Sequence, residues 1–419
     1  MMSYNSLRSL SLYSNSSLKF LCIKKFYSSP ALDPIFKKPS KFSVKHQTLD
    51  KSFYESCEDV KNTPNKTGIE NEIDEDPVLF ATSLEKPYHH WTKLQIKKIY
   101  NASLPDLMHH AMIVHRNFHD PKEIQLCTLL SIKTGGCSED CSYCAQSSRY
   151  DTGVKAEKMM KVNDVLEAAK EAQANGSTRF CLGAAWRDMN GRKSALKRIA
   201  DMIKGINDLG MESCVTLGMI EKEQLQVLKD ANLTCYNHNI DTSREHYPNV
   251  ITTRTYDDRL KTIDNVNQVG ISACTGGILG LGETEDDHIS FLYTLSNMKK
   301  HPESLPINRL VEIEGTPKAA AHSTKSLTFD SILRTIATGR MIMPESIIRI
   351  AAGRYTMKEH EQFLCFMAGA NAIFTGKKML TTMCTGWDED KAMLRKWGFK
   401  PMKSFTKHSG LLSKRKIAF

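Results

Sequence analysis

What most restricts the fold of this chain is a repeated alternation of short strand-like segments with longer helix-like ones. Strand patterns fall at 124–132 ("IQLCTLLSI"), 178–184, 211–217, 234–240, 271–279, 306–313, 346–351 and 371–374. Helical periodicity follows nearly every one, at 162–174, 194–208, 221–231, 256–269, 285–299, 328–342 and 357–368. Eight such strands over about 270 residues predict an α/β fold, a (β/α)8 TIM-type barrel, closed or nearly so. A doubly wound open sheet is the competing arrangement, but no glycine-rich dinucleotide turn follows the first strand.

A chain of 419 residues has room for two domains, or for one large barrel with extensions. Its formal net charge of +10 sits almost wholly at the ends. Residues 1–32 carry Arg8, Lys19, Lys24 and Lys25 and no acid; residues 401–419 carry Lys403, Lys407, Lys414, Arg415 and Lys416 and no acid. The stretch between is near neutral, with no basic face for a phosphate backbone to follow, so nucleic acid is excluded as a partner. No apolar run approaches a membrane span. Twelve scattered cysteines fit a reducing compartment with metal-bound or catalytic thiols better than a disulfide framework.

The first 32 residues are basic, rich in serine and free of acid, and they lack a continuous apolar stretch. That composition predicts a mitochondrial presequence, cleaved near "KKFYSS", and so a matrix protein; the alternative is a plain disordered tail. Residues 33–87 are polar and aperiodic and read as a disordered linker. The barrel is expected over 88–400, and 401–419 as a basic C-terminal tail.

Strand parity then sorts the side chains, because successive residues point to opposite faces. With the apolar face turned to the helices, Cys181, Cys214, Cys274, Asn237, Asn239, Asp241, Asn308 and Arg349 converge in the lumen. Barrel interiors are normally filled by branched aliphatics, and a buried arginine or asparagine is costly without partners. Arg349 is therefore expected as a ligand, or as the charge that offsets something anionic. A single buried cysteine is usually an inert packing residue; three beside an arginine are harder to dismiss.

The segment "GGCSEDCSYCAQSSRY" (135–150) follows the first strand, at the C-terminal rim where barrel enzymes carry their sites. Its cysteines, Cys137, Cys141 and Cys144, have the spacing C-x3-C-x2-C. A structural zinc site wants four ligands, and no fourth cysteine or histidine lies nearby. Three thiolates can instead hold three corners of a [4Fe–4S] cluster, leaving one iron open to a small molecule. Zinc completed by a remote residue is the alternative. Tyr143, just before the last cysteine, is placed to screen the cluster from solvent.

C-x3-C-x-aromatic-C after the first barrel strand resembles the radical S-adenosylmethionine superfamily. The words "LLSIKTGGCSEDCSYCAQSSRY", "GSTRFCLGAAW", "YNHNIDTS", "ITTRTYDDRL", "GGILGLGET", "PINRLVEIEGTP", "RIAAGR" and "CFMAGANAIFTG" resemble, more narrowly and in order, the biotin synthase family, from about Trp91 to about Phe399. The resemblance implies a sulfurtransferase that turns dethiobiotin into biotin by inserting sulfur between two unactivated carbons. It implies the [4Fe–4S] cluster on Cys137, Cys141 and Cys144, with S-adenosylmethionine on the open iron, cleaved to a radical that abstracts hydrogen. It implies a second, [2Fe–2S] cluster on Cys181, Cys214, Cys274 and Arg349 as sulfur donor. By likeness Tyr143, Asn239 and Asp241 meet S-adenosylmethionine, and Asn239 and Asn308 meet the ureido ring of dethiobiotin. No side chain is expected to act as catalyst beyond these cofactors. A ferredoxin-type electron donor, cluster-assembly machinery and a homodimer are also implied.

Other features read blandly. Cys22 and Cys57 lie outside the barrel. Cys127, Cys235, Cys365 and Cys384 are expected to be packing residues, although Cys235 shares the parity of Asn237. His238 is expected on the opposite face, in the core, and Arg309 facing outward. Capping and turn formation is the alternative role for the asparagines. A related radical enzyme acting on another substrate, or a non-catalytic metal-binding scaffold, are the competing functions. Absence of the inner Cys3Arg set would favour the first, and this sequence has the set; iron and acid-labile sulfide content separates the readings.

Overall fold

The strand pattern becomes one sheet that closes on itself. In the computed structural model, which describes residues 76–322, 324 and 327–404, β1 (Glu123–Lys133) pairs with β2 (Arg179–Ala184). From there the order runs through β3 (Glu212–Thr216), β4 (Cys235–Asn237), β5 (Ser272–Cys274) with β6 (Gly277–Leu279), β7 (Ser304–Arg309), β8 (Ile347–Ile350) and β9 (Ala372–Phe374), which pairs back to β1. All these pairings are parallel. The result is the closed (β/α)8 barrel that the alternation predicts.

Three helices precede the barrel, α1 (Pro77–Ser83), α2 (Lys93–Tyr100) and α3 (Leu104–Phe118). The crossovers carry α4 (Val162–Ala174), α5 (Lys193–Asp208), α6 (Lys222–Asp230), α7 (Tyr256–Val269), α8 (Glu285–Ser296), α9 (Pro317–Ala320), α10 (Phe329–Ile342) and α11 (Glu359–Met367). After β9 come a small hairpin of β10 (Lys378–Met379) and β11 (Thr382–Met383), then α12 (Trp387–Lys396) and β12 (Lys400–Pro401). In α5 the buried residues Leu196, Ile199, Ala200, Ile203 and Ile206 recur at helical spacing, so one stripe faces the sheet and the lysines face water. In α7, Thr255 and Asp258 form a reciprocal capping box, and Gly270 ends the helix at φ 83°.

Several expectations need correction. The end of the supposed linker is structured: Asp76 caps α1 and Ala81 is fully buried. The barrel unit also runs past residue 400, because β12 pairs with the start of β1 and Met402 is buried. The strand expected over 271–279 is two pieces. Cys274 pairs with Ser304 and Gly277 with Ile307, and between them the ladder meets Pro306, which has no N–H to give. Gly276 lies so close to Pro306 that a Cβ there would collide with its carbonyl. The expected strand 306–313 is shifted, and the chain leaves the sheet after Arg309. The presequence, the rest of the linker and most of the basic tail lie outside the described residues.

Candidate active site

The rim loop after β1 is folded by its own backbone. Cys144 N donates to Cys141 O at 2.9 Å, Cys137 N to Gln146 O at 2.9 Å, and Ser148 N to Cys137 O at 2.7 Å. The loop is tied to the chain ahead of α7. Asp140 accepts from Thr252 N at 3.0 Å and Thr253 N at 3.2 Å, and Thr253 Oγ1 also donates to buried Glu139. Burial alone would raise the Asp140 carboxyl, but these donors outweigh it and bring the pKa down to about 2. Cys137, Cys141 and Cys144 are thereby held at one end of a cavity. Burial pushes the thiols up, to about 12 for Cys141 and about 11 for Cys144. Arg254 approaches Cys141 Sγ at 4.0 Å. Thiols that stay protonated when empty must release protons to a metal.

Deeper in the barrel lies a second set. The register puts Cys181 of β2 level with Cys214 of β3, and Cys214 level with Cys235 of β4. Cys274 and Cys127 complete one buried group of five thiols. Hydrogen bonding within the group, with Cys127 and Cys214 around Cys181 and with Cys214 and Cys235 around Cys274, holds these two thiols well below the usual thiol value. Asn237 Nδ2 adds a bond to Cys274 Sγ at 3.2 Å. Arg349 of β8 sits beside them, 1% exposed. Its Nη1 donates to Ser304 Oγ at 2.8 Å, and its Nη2 to Gln125 Oε1 at 2.5 Å and Cys127 Sγ at 3.0 Å.

The charge balance of this floor is uneven. Buried Arg179 pairs with Glu212 and Glu303, and Arg354 with Asp390. Among the described residues Arg349 has no carboxylate partner, and its Nε is buried without a hydrogen-bond acceptor. A buried cation facing thiols with a spare donor suits an anionic, sulfur-ligated group. Among the described residues no three His, Cys, Asp or Glu side chains converge on one point as for a single metal ion. In a [4Fe–4S] cluster each thiolate binds a different iron, and in a [2Fe–2S] cluster four ligands are shared between two irons, so the thiols need only surround it.

Between the two thiol sets runs the segment 237–241. Asp241 is non-glycine yet left-handed, at φ 67°, a conformation aspartate tolerates better than most. Its carboxylate is buried and ion-paired to Arg259, which also donates to Asn239 O at 2.6 Å and to Tyr247 Oη at 3.0 Å. Asn239 Oδ1 accepts from Gly276 N at 3.1 Å, and Asn308 ties Gly277 O (2.8 Å) to Ala352 N (3.0 Å). The asparagines thus do fasten strand ends, and they also face the cavity.

One cavity of about 320 Å³ is lined by all the residues singled out in the sequence: Cys137, Cys141, Tyr143, Cys144, Cys181, Cys214, Asn239, Asp241, Cys274, Asn308 and Arg349. Its volume is within the range of small-molecule sites. Cys127 and Cys235 are fully buried, as expected of packing residues, in one cluster with the inner thiols, and neither is among the residues lining the cavity. Two readings are corrected. His238 is buried but lines the cavity, and so does Arg309. Cys365 does sit in the main apolar core. Sequence reasoning missed Arg254 and Arg259, although both lie in the quoted segment "ITTRTYDDRL". It also missed the hairpin residues Met379–Thr382 at the cavity mouth, for which no signal was available.

Comparison with known proteins agrees with this geometry. Residues 131–292 match the model of the Radical SAM superfamily, and residues 306–400 that of the Biotin and Thiamin Synthesis associated domain. The chain is 69% identical over 329 residues to the protein named mitochondrial biotin synthase in Saccharomyces cerevisiae, covering 78% of this chain and 88% of that one. It is 54% identical over 364 residues to the mitochondrial biotin synthase of Emericella nidulans (87% and 91% covered), and 53% over 320 residues to that of Arabidopsis thaliana (76% and 84%). Among solved structures, methylornithine synthase superposes with TM-score 0.62 at 17% identity, covering 74% of this chain and 94% of that one. The hydrogenase maturase HydG of Carboxydothermus hydrogenoformans gives 0.64 at 15%, with 79% of each chain covered. At such identities these two speak to the fold alone.

Proposed function

The chain belongs to the biotin synthase family of radical S-adenosylmethionine enzymes, and from that premise we propose how its own residues divide the work of converting dethiobiotin to biotin. Cys137, Cys141 and Cys144 would hold the [4Fe–4S] cluster, and Cys181, Cys214, Cys274 and Arg349 the [2Fe–2S] cluster. When bound, the first would supply the electron that cleaves S-adenosylmethionine into a hydrogen-abstracting radical, and the second would supply sulfur.

The observation that carries this reading is that both thiol sets and the 237–241 segment line one cavity. Asp241, fixed by Arg259, presents a carboxylate that orients the ribose of S-adenosylmethionine, with Tyr143 beside the rim thiols. Asn239 and Asn308 face the ureido ring of dethiobiotin and place its reactive carbons between the two ends. Each asparagine is held by backbone groups of neighbouring strands, so neither must reorganise when substrate enters. Apolar groups from Leu129, Ile278, Phe374 and Leu380 complete the lining and keep water from a reactive intermediate.

The relatives named mitochondrial, together with the basic, acid-free N-terminus, support a matrix location. A ferredoxin-type electron donor, cluster-assembly proteins and a homodimer belong to the same reading, as does a domain plan with a presequence over 1–32 and a tail after the barrel. The test is metal content after anaerobic purification. About six irons per chain imply both clusters and about four only the first, while zinc alone would overturn the reading.

A further inference from the structure

The deep site holds more thiols than the reading above uses. Three cysteines and an arginine complete a four-ligand site, yet Cys127 and Cys235 lie in the same buried group. Their surroundings differ. Cys235 Sγ is turned toward Glu303, at 3.5 Å from Oε2, and so toward the ion pairs of the barrel floor. Cys127 is fully buried and accepts from Arg349 Nη2 at 3.0 Å. It also neighbours Cys181, and its S–H is directed at Gln125 Oε1, 3.5 Å away. Cys127 thus touches both one thiol ligand and the one ligand that is not a thiol.

We propose that Cys127 is a reserve fourth thiolate of the deep iron–sulfur site, kept from the metal by the guanidinium of Arg349. The inference rests on the cluster assignment above. An atom 3.0 Å from the arginine nitrogen is close to any iron that nitrogen binds. Gln125 and Ser304 hold the guanidinium from two further directions, so it is fixed where it is, and its bond to Cys127 occupies the sulfur. The exchange is a ligand substitution without redox change: the iron-bound nitrogen is that of a neutral guanidine, which leaves, takes the proton of the adjacent Cys127 thiol and becomes guanidinium, while an Fe–S bond forms. The all-thiolate site carries one more negative charge, so it is harder to reduce.

The test compares the wild-type chain with Arg349→Met, Cys127→Ser and the double variant, each reconstituted anaerobically with ferrous iron and sulfide. Iron and sulfide per chain, Mössbauer spectra and midpoint potential are read, and the rim cluster serves as an internal control of folding. Arg349→Met should keep the deep cluster, with a four-thiolate spectrum and a more negative potential. Cys127→Ser should keep it with the wild-type spectrum. The double variant should lose about two irons per chain, those of the deep cluster, while retaining the rim cluster. If Arg349→Met loses the rim cluster as well, Arg349→Gln replaces it in the same comparison. Equal iron and identical spectra in the single and double arginine variants would overturn the proposal. Wild-type chain that holds no deep cluster would instead overturn the assignment on which it rests, and is seen before any substitution is made.

Discussion

Asp241 combines three conditions at one residue: a left-handed backbone, a buried carboxylate and an ion pair to Arg259. Removing one partner of a buried pair leaves the other uncompensated, at a cost of about 3–5 kcal/mol. Asp241→Asn keeps the tolerance for φ 67° and much of the shape, so the protein should fold with lowered stability. Its affinity for S-adenosylmethionine should drop at least about tenfold, a 1.4 kcal/mol loss. Urea unfolding and ligand titration check the two parts separately, and unchanged affinity would remove Asp241 from the ribose site. At the rim, Cys141→Ala should abolish 5′-deoxyadenosine formation with dithionite as reductant; wild-type yield would unseat the rim assignment. The inward cysteines and Arg349 were legible because a period of two needs only a strand. His238 and Arg309 were not, since each lies at or beyond a strand's end. β4 stops at Asn237 and β7 at Arg309. Past those points alternation no longer says which way a side chain faces.

Among the elements, the junction of β5, β6 and β7 is the most tightly determined. Gly276 faces the Pro306 carbonyl and Gly277 faces Asp241 O and the Phe291 ring, with no space for a methyl group at either. Gly276→Ala should cost about 3 kcal/mol or more, because backbone rather than a flexible side chain must yield. Thermal unfolding checks this, and a near-wild-type midpoint would show that the junction adapts. Periodicity located the crossover helices to within a few residues, since their apolar stripes face the sheet. The helices before the barrel were missed because the segment around α1 is short and flanked by polar sequence. The hairpin at the mouth has strands of two residues each, too short for any pattern to register.

At the scale of the molecule, three buried histidines make the fold sensitive to acid. Burial first, then Arg340, holds His115 well below its ordinary value of 6.5, and both its ring nitrogens lack partners among the described residues. Burial and then Arg259 do the same to His238, and burial followed by His89 brings His301 down to about 4. These groups are neutral when folded and free to protonate when unfolded. Between the folded and ordinary values the unfolded chain therefore binds more protons. Their stabilising contribution is complete above about 6.5 and is lost as pH falls toward 4. The urea midpoint should decline from pH 7 to pH 5, and His115→Leu, which removes an unpaired polar ring, should flatten that decline. A midpoint independent of pH in this interval would contradict the account.

The floor beneath the deep thiols has a consequence in time. Arg179, Glu212 and Gln125 are all buried there, with Arg179 and Gln125 both donating to Glu212, and the cavity that reaches the deep thiols runs from the rim. A vessel with a sealed base and one neck is filled in sequence and emptied in reverse. On the proposed assignment, anything delivered to the deep thiols has to arrive while the neck stands clear, so refilling the inner site waits on the departure of whatever is bound above it.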